Sequence, residues 1–319
     1  MLKHALVFPG QGSQSVGMLS ALAECYPVVR ETVDNVSLRL NEDIWELIAE
    51  NHGSRLDQTE YTQVAMLTAD VAVYRVLEML GIRRAQVMAG HSLGEYAALV
   101  CSGSLSLSDA AFLVRERGRL MQDAVPAGAG SMAAIVGLTD QQVRDVCAQA
   151  SVNNLNVMPA NYNAIGQVVI AGHTPAVEHA MRLAEDLSAR LVKKIAVSVP
   201  CHCPLLIDAA DIYAQALLDT EFKIPEVTVI SNVDLSEYTT VDQIRRLLKE
   251  QLYSPVRWVE TIQAIKNKEV NLIIECGPGS VLTGLVKRID KSIPSMSAAE
   301  PSNLLLLLER YPDLAGRFS

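Results

Sequence analysis

The residues best suited to chemistry in this sequence surround Ser92. The serine is the centre of a G-x-S-x-G pattern at 90–94, which follows a short apolar run at 87–89 and precedes a helix-like stretch at 95–101. A buried strand, a tight turn and a helix in this order form a nucleophile elbow, in which the turn exposes the serine hydroxyl. Backbone N–H groups at the start of the helix then point towards an oxyanion formed there. The alternative is a serine that only caps the helix.

A base for this serine is available in His202, which lies in the segment S-V-P-C-H-C-P at 198–204. Because Pro204 favours the first turn of a helix, the sequence places His202 at a helix N-terminus. There the helix dipole would keep the imidazole neutral near pH 7, as a general base requires. The order serine then histidine is that of the α/β-hydrolases. Two alternatives remain: a histidine that caps the helix, and a metal site with the neighbouring cysteines, although adjacent residues rarely ligate one ion.

An arginine stands on the apolar face of a predicted helix at 107–122, for which Ser108 is the expected N-cap. At about 100° per residue, Arg117 falls on the same face as Leu113 and Met121. A guanidinium on a core face is costly unless it is paired. It would form either a buried salt bridge to a core carboxylate or a receptor that binds a substrate carboxylate with two hydrogen bonds.

Two glutamines are further candidates for the same cleft. Gln11 lies in a glycine-containing loop at 9–14, directly after an apolar run at 5–8 that predicts the first buried strand. Open α/β sheets hold their sites at the carboxyl ends of the strands, where a glutamine amide could donate to an oxyanion. A simple polar turn explains this loop equally well. Gln63 stands near the start of a predicted helix and could face the cleft, although a structural role is commoner for such a residue.

Composition excludes several classes of function. The chain of 319 residues is 50% hydrophobic and 20% charged, which is typical of a folded protein of about two domains. A formal net charge of −9 and the lack of a long basic run argue against nucleic-acid binding. No apolar run approaches the ~18 residues of a membrane span, and we expect no membrane partner. Six scattered cysteines without a C-x-x-C pair indicate reduced thiols, so we expect a cytoplasmic protein.

The order of predicted elements indicates an α/β fold with an inserted subdomain. Between residues 128 and 197 the pattern is β-α-β-β-α-β, the ferredoxin-like order, with a capping box at Thr139 and Gln142. We expect the flanking stretches, 1–127 and 198–319, to form an α/β-hydrolase-like core with a mostly parallel sheet. The candidate nucleophile, base and arginine all fall in this core.

Eight short motifs are spread in order over nearly the whole chain. They are F-P-G-Q-G-S-Q at 8–14, T-Q-x-A at 62–65, G-H-S-L-G-E at 90–95, R-x-R-G at 115–118, N-x-N-x-x-G-Q-x-V-I-A-G at 161–172, V-P-x-H at 199–202, Q-L-x-x-P-V-R-W at 251–258 and E-x-G-P-G at 275–279. Together they resemble the malonyl-CoA:acyl carrier protein transacylases of the stand-alone bacterial type. Cys201 departs from the family pattern, in which serine is common at this position.

The resemblance implies a role for each of the main candidates. Ser92 would be the nucleophile that carries the malonyl group as an ester. His202 would be its general base and then the acid that protonates the leaving thiol. Gln11 and the backbone N–H of Leu93 would form the oxyanion hole. Arg117 would bind the free carboxylate of the malonyl group.

The resemblance also implies supporting roles around these groups. Gln251 would orient the catalytic histidine through its backbone carbonyl, in place of the carboxylate of a catalytic triad. His91, Asn161 and Asn163 would line the cleft. Gln63 would belong to the same substrate-binding cleft.

The reaction implied by the resemblance is a two-step acyl transfer from malonyl-CoA, through an ester on the serine, to the phosphopantetheine thiol of an acyl carrier protein. It needs no metal and no cofactor, and we expect a monomeric enzyme of fatty-acid synthesis. The alternatives are a thioesterase with the same serine and histidine, a malonyltransferase of a polyketide pathway, and an inactive docking module for carrier proteins. The arginine on the apolar face argues against a thioesterase, because it would select a carboxylated acyl group.

Overall fold

The computed structural model describes residues 2–82, 84–197 and 199–316. This described part of the chain contains nine strands in two sheets. The strands are β1 (His4–Phe8), β2 (Val87–Gly90), β3 (Gly130–Val136), β4 (Val157–Ala164), β5 (Gln167–His173), β6 (Leu191–Ile195), β7 (Thr228–Ile230), β8 (Leu272–Glu275) and β9 (Ser295–Ser297).

Thirteen α-helices of the described residues accompany the strands. They are α1 (Ser20–Cys25), α2 (Pro27–Leu40), α3 (Ile44–Ala49), α4 (Thr59–Met79), α5 (Gly94–Cys101), α6 (Leu107–Ala124), α7 (Asp140–Ala150), α8 (Thr174–Asp186), α9 (Ile207–Asp219), α10 (Val241–Glu250), α11 (Trp258–Asn267), α12 (Val281–Ile289) and α13 (Pro301–Arg310). None of these helices has the length and apolar character needed to cross a membrane.

The first sheet is parallel, with the strand order β7-β2-β1-β8-β9. Side chains of β1 alternate between two cores, with Leu6 and Phe8 on one face and Ala5 and Val7 on the other. A parallel sheet that is buried on both faces is typical of α/β proteins, and the predicted fold class is confirmed. Because Phe8 pairs with Gly90, the loop after β1 and the turn after β2 lie side by side at the carboxyl edge of the sheet.

The second sheet is antiparallel, with the strand order β4-β5-β3-β6. Helices α7 and α8 pack against it, and the predicted capping box of Thr139 and Gln142 opens α7. Its elements follow the predicted β-α-β-β-α-β order. Strand β4 also contacts the segment before α11, since the Tyr162 N–H donates to the Val256 carbonyl at 2.9 Å. This contact brings the asparagines of β4 towards the parallel sheet.

The division into a core of 1–127 with 198–319 and a subdomain of 128–197 stays a prediction. Ser198, at the predicted boundary, and the last residues, 317–319, lie outside the described residues.

The N-cap of α6 differs from the predicted one, and the end of α10 places a residue of the site. Ser106 caps α6 instead of Ser108: Ser106 has the extended backbone that an N-cap needs, and its hydroxyl accepts the Asp109 N–H at 3.0 Å. Helix α10 ends at Glu250. Gln251 is therefore its C-terminal cap, a position that directs both its backbone carbonyl and its side chain into the site described below.

Helix α6 packs against α4 at Gly118, where a Cβ atom would lie 2.6 Å from the Cα of Glu60. We predict that Gly118→Ala lowers the free energy of unfolding by about 1–3 kcal/mol, because one helix backbone must move. The matched control is Gly284→Ala in α12, where no atom lies within 4 Å of the added Cβ. Alanine there should stabilise the helix by up to about 1 kcal/mol. Denaturant unfolding measures both, and equal stabilities of the two variants would contradict the prediction.

Candidate active site

Ser92 occupies a sharp turn between β2 and α5, with a φ angle of +52°. This angle is uncommon for a serine and marks a turn that the surrounding structure must hold. Glycines permit it: a Cβ at Gly94 would lie 2.1 Å from the Phe8 carbonyl oxygen, and one at Gly90 would lie 1.9 Å from the Gly94 backbone. The side chain of Asn232 holds the turn, since it accepts the Ser92 N–H and donates to the Gly90 carbonyl, each at 2.7 Å. The predicted nucleophile elbow is therefore present.

The Ser92 hydroxyl is paired with His202. Its Oγ lies 2.7 Å from His202 Nε2, and His202 Nδ1 lies 2.8 Å from the backbone carbonyl oxygen of Gln251. Since a carbonyl only accepts, Nδ1 carries the proton and Nε2 is left as the acceptor for the serine hydroxyl. A backbone carbonyl thus orients the base, as the resemblance implied.

The His202 imidazole is neutral near pH 7, but for a different reason from the predicted one. Helix α9 begins only at Ile207, after a short 3₁₀ turn at Pro204–Leu206, so the histidine does not lie at the end of an α-helix. Instead, burial and, to a lesser extent, the positive charge of Arg117 lower the pKa of His202 to about 3. Desolvation disfavours the charged imidazolium, so the group is available as a base.

Arg117 lies on the inner face of α6 and is only 1% exposed. Its guanidinium donates to Gln63 Oε1 at 2.9 Å, to Gln251 Oε1 at 3.0 Å and to Ser92 Oγ at 3.2 Å, and it lies over the ring of Tyr96. No Asp or Glu of the described residues forms an ion pair with it. Within the described part of the chain, the buried salt bridge that was one alternative is therefore absent, and an unpaired cation stands beside the nucleophile. This is the arrangement expected of a receptor for a carboxylate.

A cavity of about 260 Å³ connects these groups. Eight of the ten predicted site residues line it: Gln11, His91, Ser92, Leu93, Arg117, Asn161, Asn163 and His202. Apolar side chains complete the wall: Met121, Met132, Val169, Ile195 and Val197. The volume suits a small acyl group.

The other two predicted residues, Gln63 and Gln251, lie behind the cavity wall. Gln63 is buried between Arg117 and Met121, and its amide donates to the Met121 sulfur at 3.5 Å. It therefore holds the arginine and is not among the residues that line the cavity, so its predicted place in the substrate-binding cleft stays a prediction. Gln251 acts on the site through its carbonyl on one side and its side-chain amide on the other.

The polar groups at the mouth of the cavity are held by neighbours. His91 Nε2 lies 2.7 Å from Asn163 Oδ1, and the His91 ring meets the edge of Trp258 at 5.3 Å between ring centres. The Gln11 amide lies 3.5 Å from Thr59 Oγ1, a long contact that leaves it able to donate into the cavity. No acceptor for the Leu93 N–H is found among the described residues. Both residues line the cavity, and their role as the donors of an oxyanion hole stays a prediction.

A metal site formed by His202 and the neighbouring cysteines was one alternative left by the sequence. No group of three or more histidine, cysteine, aspartate or glutamate side chains in the described residues is arranged to hold a metal ion. Burial also raises the pKa of the Cys201 thiol to about 11, so this cysteine is protonated near pH 7. Because the thiolate is the reactive form, Cys201 is a wall residue of the cavity and not a second nucleophile.

Sequence reasoning missed three polar residues behind the site: Glu95, Asn232 and Tyr238. Glu95 is 0% exposed, and its carboxylate accepts the Gln251 amide at 2.7 Å, the Asn232 N–H at 3.2 Å and the Tyr238 hydroxyl. Burial raises the pKa of Glu95 to about 7. An acidic residue in the first turn of a helix is ordinary, so the sequence carried no signal that this one is buried.

The chain is similar to known proteins both in sequence and in fold. Residues 5–309 match the family model described as acyl transferase domain. The malonyl CoA-acyl carrier protein transacylase of Escherichia coli (strain K12) is 45% identical over 309 residues, which cover 97% of this chain and 100% of that protein. The solved malonyl CoA-acyl carrier protein transacylase of Coxiella burnetii has a TM-score of 0.95 and 46% identity, covering 97% of this chain and 98% of that one. A malonyl-transacylase solved in complex with a type II PKS acyl-carrier protein has a TM-score of 0.94 and 43% identity, covering 97% of this chain and 99% of that one.

The lowered pKa of His202 predicts an acid-dependent loss of stability. Between the unfolded value of about 6.5 and the folded value of about 3, only the unfolded chain binds the proton, so the free energy of unfolding falls as the pH is lowered through this window. His202→Gln should reduce that slope by up to about 1.4 kcal/mol per pH unit. Denaturant unfolding between pH 6.5 and 4 measures it, and identical slopes for the two proteins would show that the histidine is not buried as described.

Proposed function

Because this chain belongs to the malonyl CoA-acyl carrier protein transacylase family, we propose that it transfers malonyl groups from malonyl-CoA to the phosphopantetheine thiol of an acyl carrier protein, for fatty-acid synthesis. The observation that carries the proposal is the unpaired, buried guanidinium of Arg117, which lies 3.2 Å from the Ser92 hydroxyl. A carboxylate bound there would be attached to an acyl carbon within reach of the nucleophile. The malonyl group has such a carboxylate, and a plain fatty acyl group does not.

The first half of the reaction forms an acyl-enzyme. The Ser92 oxygen attacks the thioester carbonyl while its proton passes to His202 Nε2, and the carbonyl oxygen becomes an oxyanion that the Leu93 N–H and the Gln11 amide stabilise. When the tetrahedral intermediate collapses, the C–S bond breaks and the coenzyme A sulfur takes the proton from His202. Malonyl-Ser92 remains, with its carboxylate on Arg117.

The second half repeats these steps with a new thiol. The phosphopantetheine thiol of the carrier protein gives its proton to His202 and attacks the ester carbonyl of malonyl-Ser92. Collapse breaks the C–O bond, and the Ser92 oxygen takes the proton back. The same histidine serves as base and acid in both halves, which the hydrogen bond from its Nδ1 to the neutral Gln251 carbonyl allows.

Transfer is favoured over the thioesterase alternative, since the relatives are named as transacylases and hydrolysis gives no reason for the buried arginine. One related structure contains a type II PKS acyl-carrier protein, which is the partner of that related protein. We further propose that the enzyme acts as a monomer, since one chain brings Ser92, His202 and Arg117 into contact. The six cysteines are all free, which supports a cytoplasmic enzyme.

The carboxylate-receptor role predicts a change of substrate preference in Arg117→Ala. Loss of a buried, charge-assisted pair should cost about 2–3 kcal/mol for malonyl-CoA, which is roughly a 30- to 150-fold fall in kcat/KM, and should affect acetyl-CoA far less. The measurement is the ratio of kcat/KM for the two substrates. The kcat/KM for acetyl-CoA also shows whether the variant is folded, because acylation by acetyl-CoA requires an intact site.

The matched control is Arg119→Ala. Arg119 lies on the same helix but is exposed and pairs with Glu116 and Asp123. Its removal should leave the ratio unchanged. A ratio that is the same in Arg117→Ala as in the control would contradict the proposed function.

A further inference from the structure

Behind the cavity, a buried negative charge stands opposite the buried positive charge of Arg117. This is Glu95, in the first turn of α5, where no part of the side chain reaches solvent. The two charged groups do not touch. The side-chain amide of Gln251 lies between them, and its Nε2 donates to Glu95 Oε2 at 2.7 Å while its Oε1 accepts from Arg117 at 3.0 Å.

The amide has one orientation that satisfies all of its neighbours. Its Nε2 donates also to the Ser92 carbonyl at 3.1 Å, so the nitrogen faces two acceptors and the oxygen faces a guanidinium. A rotation by half a turn would place the NH₂ group against the guanidinium and the amide oxygen against the carboxylate. Two donors would then meet on one side and two acceptors on the other. The Glu95 carboxylate, together with the Ser92 carbonyl, therefore fixes which end of the Gln251 amide faces Arg117.

We propose that Glu95 is a positioning residue for malonyl selectivity: through the Gln251 amide, its carboxylate holds the Arg117 guanidinium beside Ser92 in the orientation that receives the malonyl carboxylate. This inference rests on the proposed function. Glu95 does not reach the cavity, yet by this proposal it affects which acyl group the enzyme accepts.

The effect of Glu95 on selectivity is separable from its effect on catalysis. The catalytic histidine is oriented by the backbone carbonyl of Gln251, which does not move when the side-chain amide turns. Loss of the charge at Glu95 should therefore weaken the carboxylate receptor more than the Ser92–His202 pair. A residue that only supported the fold of the elbow would lower the reaction of every acyl group alike.

The groups that face Glu95 keep it ionised in a mildly alkaline assay. Burial raises the pKa of its carboxyl to about 7, although the Tyr238 hydroxyl, the Asn232 N–H, the Gln251 amide and the Arg117 charge all lower it. The two tyrosines near it stay neutral, since burial raises the pKa of Tyr96 to about 12 and that of Tyr238 well above its usual value. At pH 8 the carboxylate is thus the charged form that the proposal requires.

The test is the kcat/KM ratio of malonyl-CoA to acetyl-CoA at pH 8 in four proteins: wild type, Glu95→Gln, Gln251→Ala and the double variant. Glu95→Gln should lower the ratio about tenfold or more. Because Glu95 acts through the amide, adding Glu95→Gln to Gln251→Ala should change the ratio by less than about twofold. An equal fall for both substrates in Glu95→Gln, or fully additive effects in the double variant, would overturn the proposal.

Tyr238→Phe keeps the proposal testable if Glu95→Gln does not fold. This variant keeps the aromatic ring and removes only the hydroxyl that donates to Glu95. With that donor gone, the pKa of Glu95 rises, so the malonyl-to-acetyl ratio should fall at pH 7 and recover towards wild type at pH 9. A ratio that follows wild type at both pH values would overturn the proposal.

The outcome can be separated from failure of the proposed function. If Arg117→Ala leaves the ratio unchanged, the carboxylate receptor itself is wrong. If Arg117→Ala lowers the ratio while the Glu95 and Tyr238 variants do not, the receptor stands and only the role of Glu95 is refuted.

Discussion

The active site depends on one buried positive charge. Arg117 is withdrawn from solvent on the inner face of a helix, and no carboxylate of the described residues pairs with it directly. Burial of an unpaired charge is costly, so the surrounding structure must compensate. Two glutamine oxygens and the face of Tyr96 do so in part. A substrate carboxylate would be the missing partner of Arg117. The substrate that the site accepts therefore depends on this buried charge.

The same charge contributes, after burial, to the neutral state of the catalytic base. Burial and the proximity of Arg117 keep His202 neutral, and the Gln251 carbonyl fixes which ring nitrogen is free to accept a proton. A carboxylate partner of the kind found in catalytic triads would partly cancel the effect of the arginine. The neutral carbonyl of Gln251 does not cancel this effect. The choice of partner for the histidine is therefore consistent with an enzyme that keeps a cation next to its nucleophile.

Much of this arrangement follows from local sequence patterns. The elbow was predictable because strand, turn and helix are adjacent along the chain, and Arg117 because helical periodicity places it on an apolar face. The parallel sheet followed from its short apolar strands. What the sequence did not reveal depends on distant contacts: residue 95 meets residues 232, 238 and 251, and Gln63 meets Arg117 across two helices. The sequence pattern also gave the wrong cause for the neutral state of His202, because the position of a helix end does not reveal whether a side chain is buried.

The most direct test of the account is the intact mass of the protein after brief mixing with malonyl-CoA, followed by addition of a phosphopantetheinylated acyl carrier protein. Wild type should gain a single malonyl group, Ser92→Ala should gain none, and the carrier protein should then remove the group and carry it. Release of coenzyme A without an adduct would indicate direct hydrolysis and contradict the account. A malonyl adduct on Ser92→Ala would contradict it equally, since the nucleophile would then be another residue.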